Sequence, residues 1–222
     1  MVNGDMRQEI IKRIEDKKII AIIRGAEFSQ IIKLTKALKD GGISLVEIAF
    51  DQTSADRNFS SASAISAIKN EFGTEIFAGA GTVMTTDQLD LAVKAGAEFI
   101  ISPDACPEVI KKTREFGLVS IPGAMTPGEC AAAYNAGADF VKLFPAGNLG
   151  PDYLRAIRAP LNHIKFLAVG GIELDGIPEF IRAGAVGFGL GGKLINKEWI
   201  QAGEFEKITE LAKKYVNAVN TI

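Results

Sequence analysis

The chain has 222 residues, 47% of them hydrophobic and 23% charged, with a formal net charge of −2. That length suits one large domain with a substantial core, and the near-neutral charge leaves no electrostatic footprint for nucleic acid or an anionic membrane as partner. No apolar run approaches the roughly 18 residues of a membrane span, and the N-terminal stretch MVNGDMRQEIIKRIEDKK is charged and amphipathic rather than a signal peptide, so a cytoplasmic location is expected.

Residues 5–17 read as a leading amphipathic helix, followed by a first strand from Ile19 to Ile23 that is closed by Arg24 and Gly25. Ser29 is the expected cap of the next helix, which runs to Gly41 and Gly42. Ser44 to Phe50 reads as the second strand, followed by a long polar loop and a helix near 60–72. Glu75 to Ala78 is the expected third strand, running into Gly79, Ala80, Gly81 and Thr82, with a helix starting near Thr85. The fourth spans Glu98 to Ile101 and is broken by Ser102 and Pro103; the fifth spans Leu118 to Ile121 and is broken by Pro122 and Gly123. In the sixth, Lys142 sits among Phe140, Val141, Leu143 and Phe144, before Pro145, Ala146 and Gly147 stop the run. Lys165 to Val169 ends in Gly170 and Gly171, and Val186 to Leu190 ends in Gly191 and Gly192. A short segment around Trp199 precedes a last helix at about 204–219.

Short apolar runs alternating with longer amphipathic segments are the βα signature of a parallel sheet covered on both faces. Ala95-Gly96-Ala97, Ala136-Gly137-Ala138 and Ala183-Gly184-Ala185 each close a helix just before a strand, an echo compatible with repeated βα units. The expected fold is a single α/β domain over 1–222, a (β/α)8 TIM barrel with an N-terminal helix and no linker. A doubly wound open sheet is the alternative, but no G-x-G-x-x-G follows the first strand.

Chemistry in such a barrel belongs at the C-terminal ends of the strands. Arg24, Glu47, Thr82, Pro103, Lys142, Phe144 and the two glycine pairs stand there. Burial lowers a lysine pKa and prepares the amine to attack a carbonyl, although a lone lysine near a strand end commonly snorkels outward or pairs with a carboxylate. Glu47, between Val46 and Ile48, is either its structural ion-pair partner or a general acid/base. Arg24 can hold a carboxylate bidentately, though a loop arginine is often only a surface group. Gly170-Gly171 and Gly191-Gly192 can offer backbone N–H groups to a phosphate, and Lys193 adds a positive charge. Cys106 and Cys130 have no zinc or redox spacing and read as free thiols in or near helices. A single histidine, His163, leaves almost no material for a His-rich metal site or a Ser-His-Asp triad, so no metal and no cofactor are expected. His163 reads as an exposed loop residue and Trp199 as a packing residue.

In order, IIAIIRG (19–25), GGISLVEIAF (41–50), GAGTV (79–83), ISP (101–103), IPGAMTP (121–127), VKLFPAG (141–147), AVGGI (168–172) and GLGGK (189–193) closely resemble the KDPG/KHG aldolases, class I enzymes that cleave 2-keto-3-deoxy-6-phosphogluconate. The resemblance implies that Lys142 is the Schiff-base lysine, Glu47 the acid/base carboxylate, and Thr82 and Arg24 the groups around a pyruvate carboxylate. It also implies that Phe144 is a pocket wall, Gly170, Gly171, Gly191 and Gly192 a phosphate cradle, and the working assembly a homotrimer. Its best-known branch has threonine, leucine, arginine and threonine where this chain has Ala49, Phe50, Asp51 and Gln52. Arg24 is the expected replacement for that arginine, as in 6-phosphogalactonate-cleaving relatives, and Asp51 a candidate contact to a sugar hydroxyl. Lys193 stands where a small polar residue is usual. The expected reaction releases pyruvate and glyceraldehyde 3-phosphate. The alternatives are 2-keto-3-deoxy-6-phosphogalactonate or 4-hydroxy-2-oxoglutarate as substrate, a phosphate-binding isomerase or synthase, or a non-catalytic sugar-phosphate-binding barrel.

Overall fold

Short runs rich in isoleucine, valine and phenylalanine favour a pleated strand, and runs buried on both faces pair in parallel. The computed structural model, which describes residues 4–221, has nine such segments. They are β1 (Ile19–Ile23), β2 (Leu45–Ala49), β3 (Phe77–Gly81), β4 (Phe99–Ile101), β5 (Val119–Ile121), β6 (Gly123–Ala124), β7 (Val141–Leu143), β8 (Phe166–Val169) and β9 (Gly187–Leu190). The helices are α1 (Gly4–Lys17), α2 (Ile31–Asp40), α3 (Ala55–Phe72), α4 (Thr86–Lys94), α5 (Pro107–Glu115), α6 (Pro127–Asn135), α7 (Ala146–Leu149), α8 (Pro151–Arg158), α9 (Ile177–Ala183), α10 (Lys197–Ala202) and α11 (Phe205–Asn220).

All strand pairs are parallel, in the order β5-β4-β3-β2-β1-β9-β8-β7-β6. At the two ends of that order stand β5, which matches the expected fifth strand, and β6, which resumes beyond Pro122 where that strand is expected to end. Pro122 separates them because it has no N–H to give to a ladder, yet its carbonyl still accepts the Lys142 N–H at 2.9 Å. The sheet therefore closes on itself as the expected α/β barrel, with helices outside.

Two apolar layers follow from the period of two along each strand. Ile19, Ala21 and Ile23 of β1, with Val46 and Ile48 of β2, face the surrounding helices. Ile20, Leu45, Phe77, Phe99, Ile101, Val119, Ile121, Phe140 and Leu167 fill the interior, and Ile10 and Ile14 of α1 pack into the same cluster as its floor. Arg7 anchors that helix through an ion pair with Asp139, which also pairs with Arg114 at 2.8 Å and accepts the Ser120 N–H at 2.9 Å. This parity positions the site. Glu47 lies two residues beyond the inward Leu45, and Lys142 two beyond the inward Phe140, so both side chains point into the barrel near its C-terminal end.

Several boundaries differ from the sequence reading. Ser29 does not cap the second helix: Phe28–Gln30 is a 3₁₀ turn, and Gln30 precedes α2 without a side-chain cap. Ser54 caps α3 by accepting the Arg57 N–H at 3.3 Å, and Asp56 favours the same helix N-terminus. The helix thus begins at Ala55 instead of near residue 60, and the expected long loop is short. β3 continues through Gly79-Ala80-Gly81 instead of ending at Ala78, because both glycines face interior side chains. The expected domain limits, 1–222, include residues 1–3 and 222, which lie outside the described residues. Cys106 and Cys130 are free thiols at the start of α5 and within α6, and Trp199 of α10 packs against the outer core. His163 is exposed, its ring edge-on to Tyr134 with centroids 4.8 Å apart. No helix among the described residues is long and apolar enough to cross a membrane.

A Cβ added at Gly79 would lie 2.3 Å from the Phe99 ring carbons inside the barrel. Gly79→Ala is therefore expected to overpack the interior and destabilise the fold by about 1–3 kcal/mol, read as a lower urea midpoint at unchanged slope.

Candidate active site

All of the expected site residues converge. Arg24, Glu47, Thr82, Pro103, Lys142, Phe144, Gly170, Gly171, Gly191, Gly192 and Lys193 line one cavity of about 280 Å³ at the C-terminal end of the strands. Ile22, Val169, Ile172 and Leu190 supply its apolar wall.

Lys142, on β7, is 6% exposed, and its ammonium lies 4.8 Å from the centroid of the Phe144 ring. Phe144, 38% exposed, forms the outer side of that contact. Burial pushes the Lys142 pKa below its ordinary value; Glu47 opposes the shift by favouring the charged amine, and Arg24 adds to it. Glu47, on β2, is 1% exposed. Burial pushes its carboxyl upward, against the pull of Lys142 and Arg24. Desolvation thus outweighs mutual attraction for both groups, which moves the pair toward a neutral amine and a neutral acid. Its Oε2 has no hydrogen-bond partner among the described residues. Oε1 lies over β3, where a Cβ on Gly81 would come within 1.6 Å of it. Only glycine at 81 leaves room for the Glu47 carboxylate in this position.

Arg24 and Thr82 follow β1 and β3, the strands on either side of the Glu47 strand, and Arg24 Nη2 donates to Thr82 Oγ1 at 2.9 Å. Thr82 has a φ of +58°. A β-branched residue in the left-handed region carries strain of about 1–3 kcal/mol, and here that backbone turns the hydroxyl toward the guanidinium. Arg24 and Thr82 also line a second, larger cavity of about 610 Å³, together with Phe28, Asp51, Gln52 and Arg57.

Asp51, the candidate sugar-hydroxyl contact, lines the larger cavity and not the one that holds Lys142. Its Oδ1 accepts from the N–H and hydroxyl of Thr53 at 2.7 and 2.5 Å, and Oδ2 accepts from Arg57 at 2.8 Å. Those bonds hold the Asp51 carboxyl well below the usual range. The chain turns straight from β2 into α3, and Asp51 is spent on that turn. Lys193 lines the site cavity but also pairs with Glu173. Sequence reasoning missed Glu173, whose only signal is its place two residues after the first glycine pair, and it missed Gln52, whose amide donates to the Thr82 carbonyl at 2.7 Å.

A family model for KDPG and KHG aldolase matches residues 10–211. The chain belongs to the KDPG and KHG aldolase family. It is 32% identical over 202 residues to the 2-dehydro-3-deoxy-6-phosphogalactonate aldolase of Escherichia coli (strain K12), covering 90% of this chain and 93% of that one. It is 30% identical over 214 residues to the 2-dehydro-3-deoxy-phosphogluconate aldolase of Treponema pallidum (strain Nichols), covering 96% and 99%. Among solved structures, the KDPG aldolase of Legionella pneumophila, with pyruvate captured as a covalent carbinolamine, aligns with a TM-score of 0.80 at 28% identity and covers 89% of this chain and 93% of that one. As a member of the aldolase family the chain is a lyase, and the cavity around Lys142 lies where a barrel enzyme does its chemistry.

Two outcomes follow from this geometry. Acetylation of Lys142 by a small reagent, followed by mass spectrometry across pH, should show an inflection below the ordinary 10.5. Glu47→Gln removes the charge that favours the ammonium and should move that inflection lower still; an upward move contradicts the coupling described here. Gly81→Ala should displace the Glu47 carboxylate, and a fall in kcat of about 10²-fold or more is the result expected of a general acid/base at that position.

Proposed function

We propose that this chain is a class I aldolase that uses Lys142 to form a Schiff base and cleaves 2-keto-3-deoxy-6-phosphogluconate to pyruvate and glyceraldehyde 3-phosphate. The observation that carries the reading is a buried, desolvated lysine sharing one cavity with an equally buried glutamate and with the Arg24–Thr82 pair. Nothing else in the cavity combines a nucleophile, a proton carrier and a carboxylate clamp.

In this mechanism the neutral Lys142 amine attacks the C2 ketone, with the substrate carboxylate held by Arg24 and Thr82. Glu47 carries protons while the carbinolamine loses water to give a protonated imine. Glu47 then takes the proton of the C4 hydroxyl, the C3–C4 bond breaks, and its electron pair moves onto the imine nitrogen, leaving an enamine. Glyceraldehyde 3-phosphate departs. Protonation at C3 and hydrolysis of the imine release pyruvate and restore the free amine. Phe144 walls the reacting carbons, and Pro103 borders the same cavity. The phosphate end lies against Gly170, Gly171, Gly191 and Gly192, with Lys193 as its counter-charge. We place this activity in a single barrel domain over 1–222 that works in the cytoplasm as a homotrimer, the assembly the family resemblance implies.

The second reading, 2-keto-3-deoxy-6-phosphogalactonate as substrate, is favoured by Arg24 and by the 32% identity to the Escherichia coli enzyme named for that compound. A panel of the two sugar acid phosphates and 4-hydroxy-2-oxoglutarate, read by pyruvate release, separates the readings. The highest kcat/KM is expected for the gluconate-type phosphate; a higher value for the galactonate-type compound selects the alternative. Lys142→Ala should retain the fold and lose on the order of 10⁴-fold or more in kcat, the scale of a removed nucleophile. Lys193→Ala should raise KM about fivefold for the phosphorylated substrates and leave 4-hydroxy-2-oxoglutarate unaffected, since one exposed charge contact is worth about 1 kcal/mol.

A further inference from the structure

We propose that Gln52 is a positioning residue for the substrate carboxylate, acting through the backbone of Thr82. The inference rests on the aldolase reading above.

Thr82 supplies one half of the carboxylate clamp, and its strained backbone needs external restraint. On either side the chain is tied to the barrel: the Gly81 carbonyl accepts the Phe50 N–H at 2.7 Å, and the Val83 N–H donates to the Ile101 carbonyl at 3.2 Å. The carbonyl of Thr82 itself is held by a side chain, Gln52 Nε2, at 2.7 Å. Gln52 Oε1 accepts from Gln88 Nε2 at 3.0 Å, and Gln88 Oε1 accepts the Met84 N–H at 2.8 Å. Gln88 belongs to the first turn of α4, where its own N–H donates to the capping Thr85 hydroxyl at 3.2 Å.

This chain of bonds has one possible polarity. The Met84 N–H can only donate, so Gln88 must present Oε1 to it and Nε2 to its neighbour. Gln52 must then present Oε1 to Gln88 and Nε2 to the Thr82 carbonyl, which can only accept. Two amides thus lock a three-residue turn from both ends. Gln52 lines the 610 Å³ cavity and is absent from the lining of the one around Lys142. Its effect on substrate therefore passes through Thr82: the restrained left-handed backbone keeps the hydroxyl on Arg24 Nη2, and the pair meets the carboxylate as one oriented unit.

Gln52→Glu keeps the size of the side chain and its acceptor for Gln88 but removes the donor to Thr82. Carboxylate binding is shared by ground and transition states, so its loss should appear in KM and leave kcat alone. The expected result is a rise in KM of about tenfold, an equal weakening of product inhibition by pyruvate, and kcat within about twofold of wild type. In a Thr82→Gly background, where the backbone is unstrained and the hydroxyl is gone, Gln52→Glu should add no further change. Unchanged KM and pyruvate inhibition in the single variant, or an undiminished effect in the glycine background, would overturn the inference. A crystal structure of Gln52→Glu tests it without activity: Thr82 leaving the left-handed region supports the role, and an unmoved Thr82 with its hydroxyl still on Arg24 refutes it. Wild-type protein that releases no pyruvate from any member of the substrate panel would instead sink the aldolase reading, with the crystallographic result still deciding the role of Gln52.

Discussion

The structure depends on the cost of placing an amine and a carboxylic acid together inside a hydrophobic barrel. Each group is drawn toward the charged form by the other and toward the neutral form by the loss of water. Desolvation is the larger effect for both, and the outcome is an amine below its ordinary pKa beside an acid above its own. A surface pair would settle as two full charges and do no chemistry. The same two residues at interior positions have the protonation chemistry that the proposed nucleophile and proton carrier need, because a neutral amine can attack and an acid of raised pKa can give or take a proton.

The barrel makes that arrangement affordable through its layers. Below the pair, Phe77, Phe99, Phe140 and Leu167 close the interior to water, and α1 plugs the floor with Ile10 and Ile14. Above it the strand ends open into the βα loops. Glu47 and Lys142 occupy the next inward positions after the apolar layer, so they are buried by the fold and still reachable from the mouth. The glycines of β3 complete the fit: Gly79 yields its space to Phe99 and Gly81 yields its space to the Glu47 carboxylate. One apolar contact and one contact to the buried carboxylate are thus served by the same strand.

Much of this was legible in the sequence because short strands have only two faces. A charged residue inside an apolar run, as at Glu47 and Lys142, either points into the barrel or disrupts it, and the residue at which a run stops, as at Arg24, marks a strand end. The ordered motifs then gave the partners. What sequence could not supply were contacts between distant turns. Finding Ser54 as the cap of α3 depends on where the chain leaves β2. Extending β3 through its glycines depends on Phe99 and on the reach of Glu47. Asp51 is a candidate sugar-hydroxyl contact in the sequence because it stands where the resembling branch has an arginine, but Thr53 and Arg57 bond to both of its oxygens. Gln52 and Thr82 are 30 residues apart, and no local pattern announces their bond.

The account turns on Lys142 being a nucleophile rather than a buried structural cation. Borohydride reduction of the protein in the presence of pyruvate, followed by peptide mapping, tests this most directly. A stable pyruvate-derived adduct on Lys142, absent without pyruvate, is the predicted result. Folded protein that yields no adduct, or yields it on another lysine, contradicts the account.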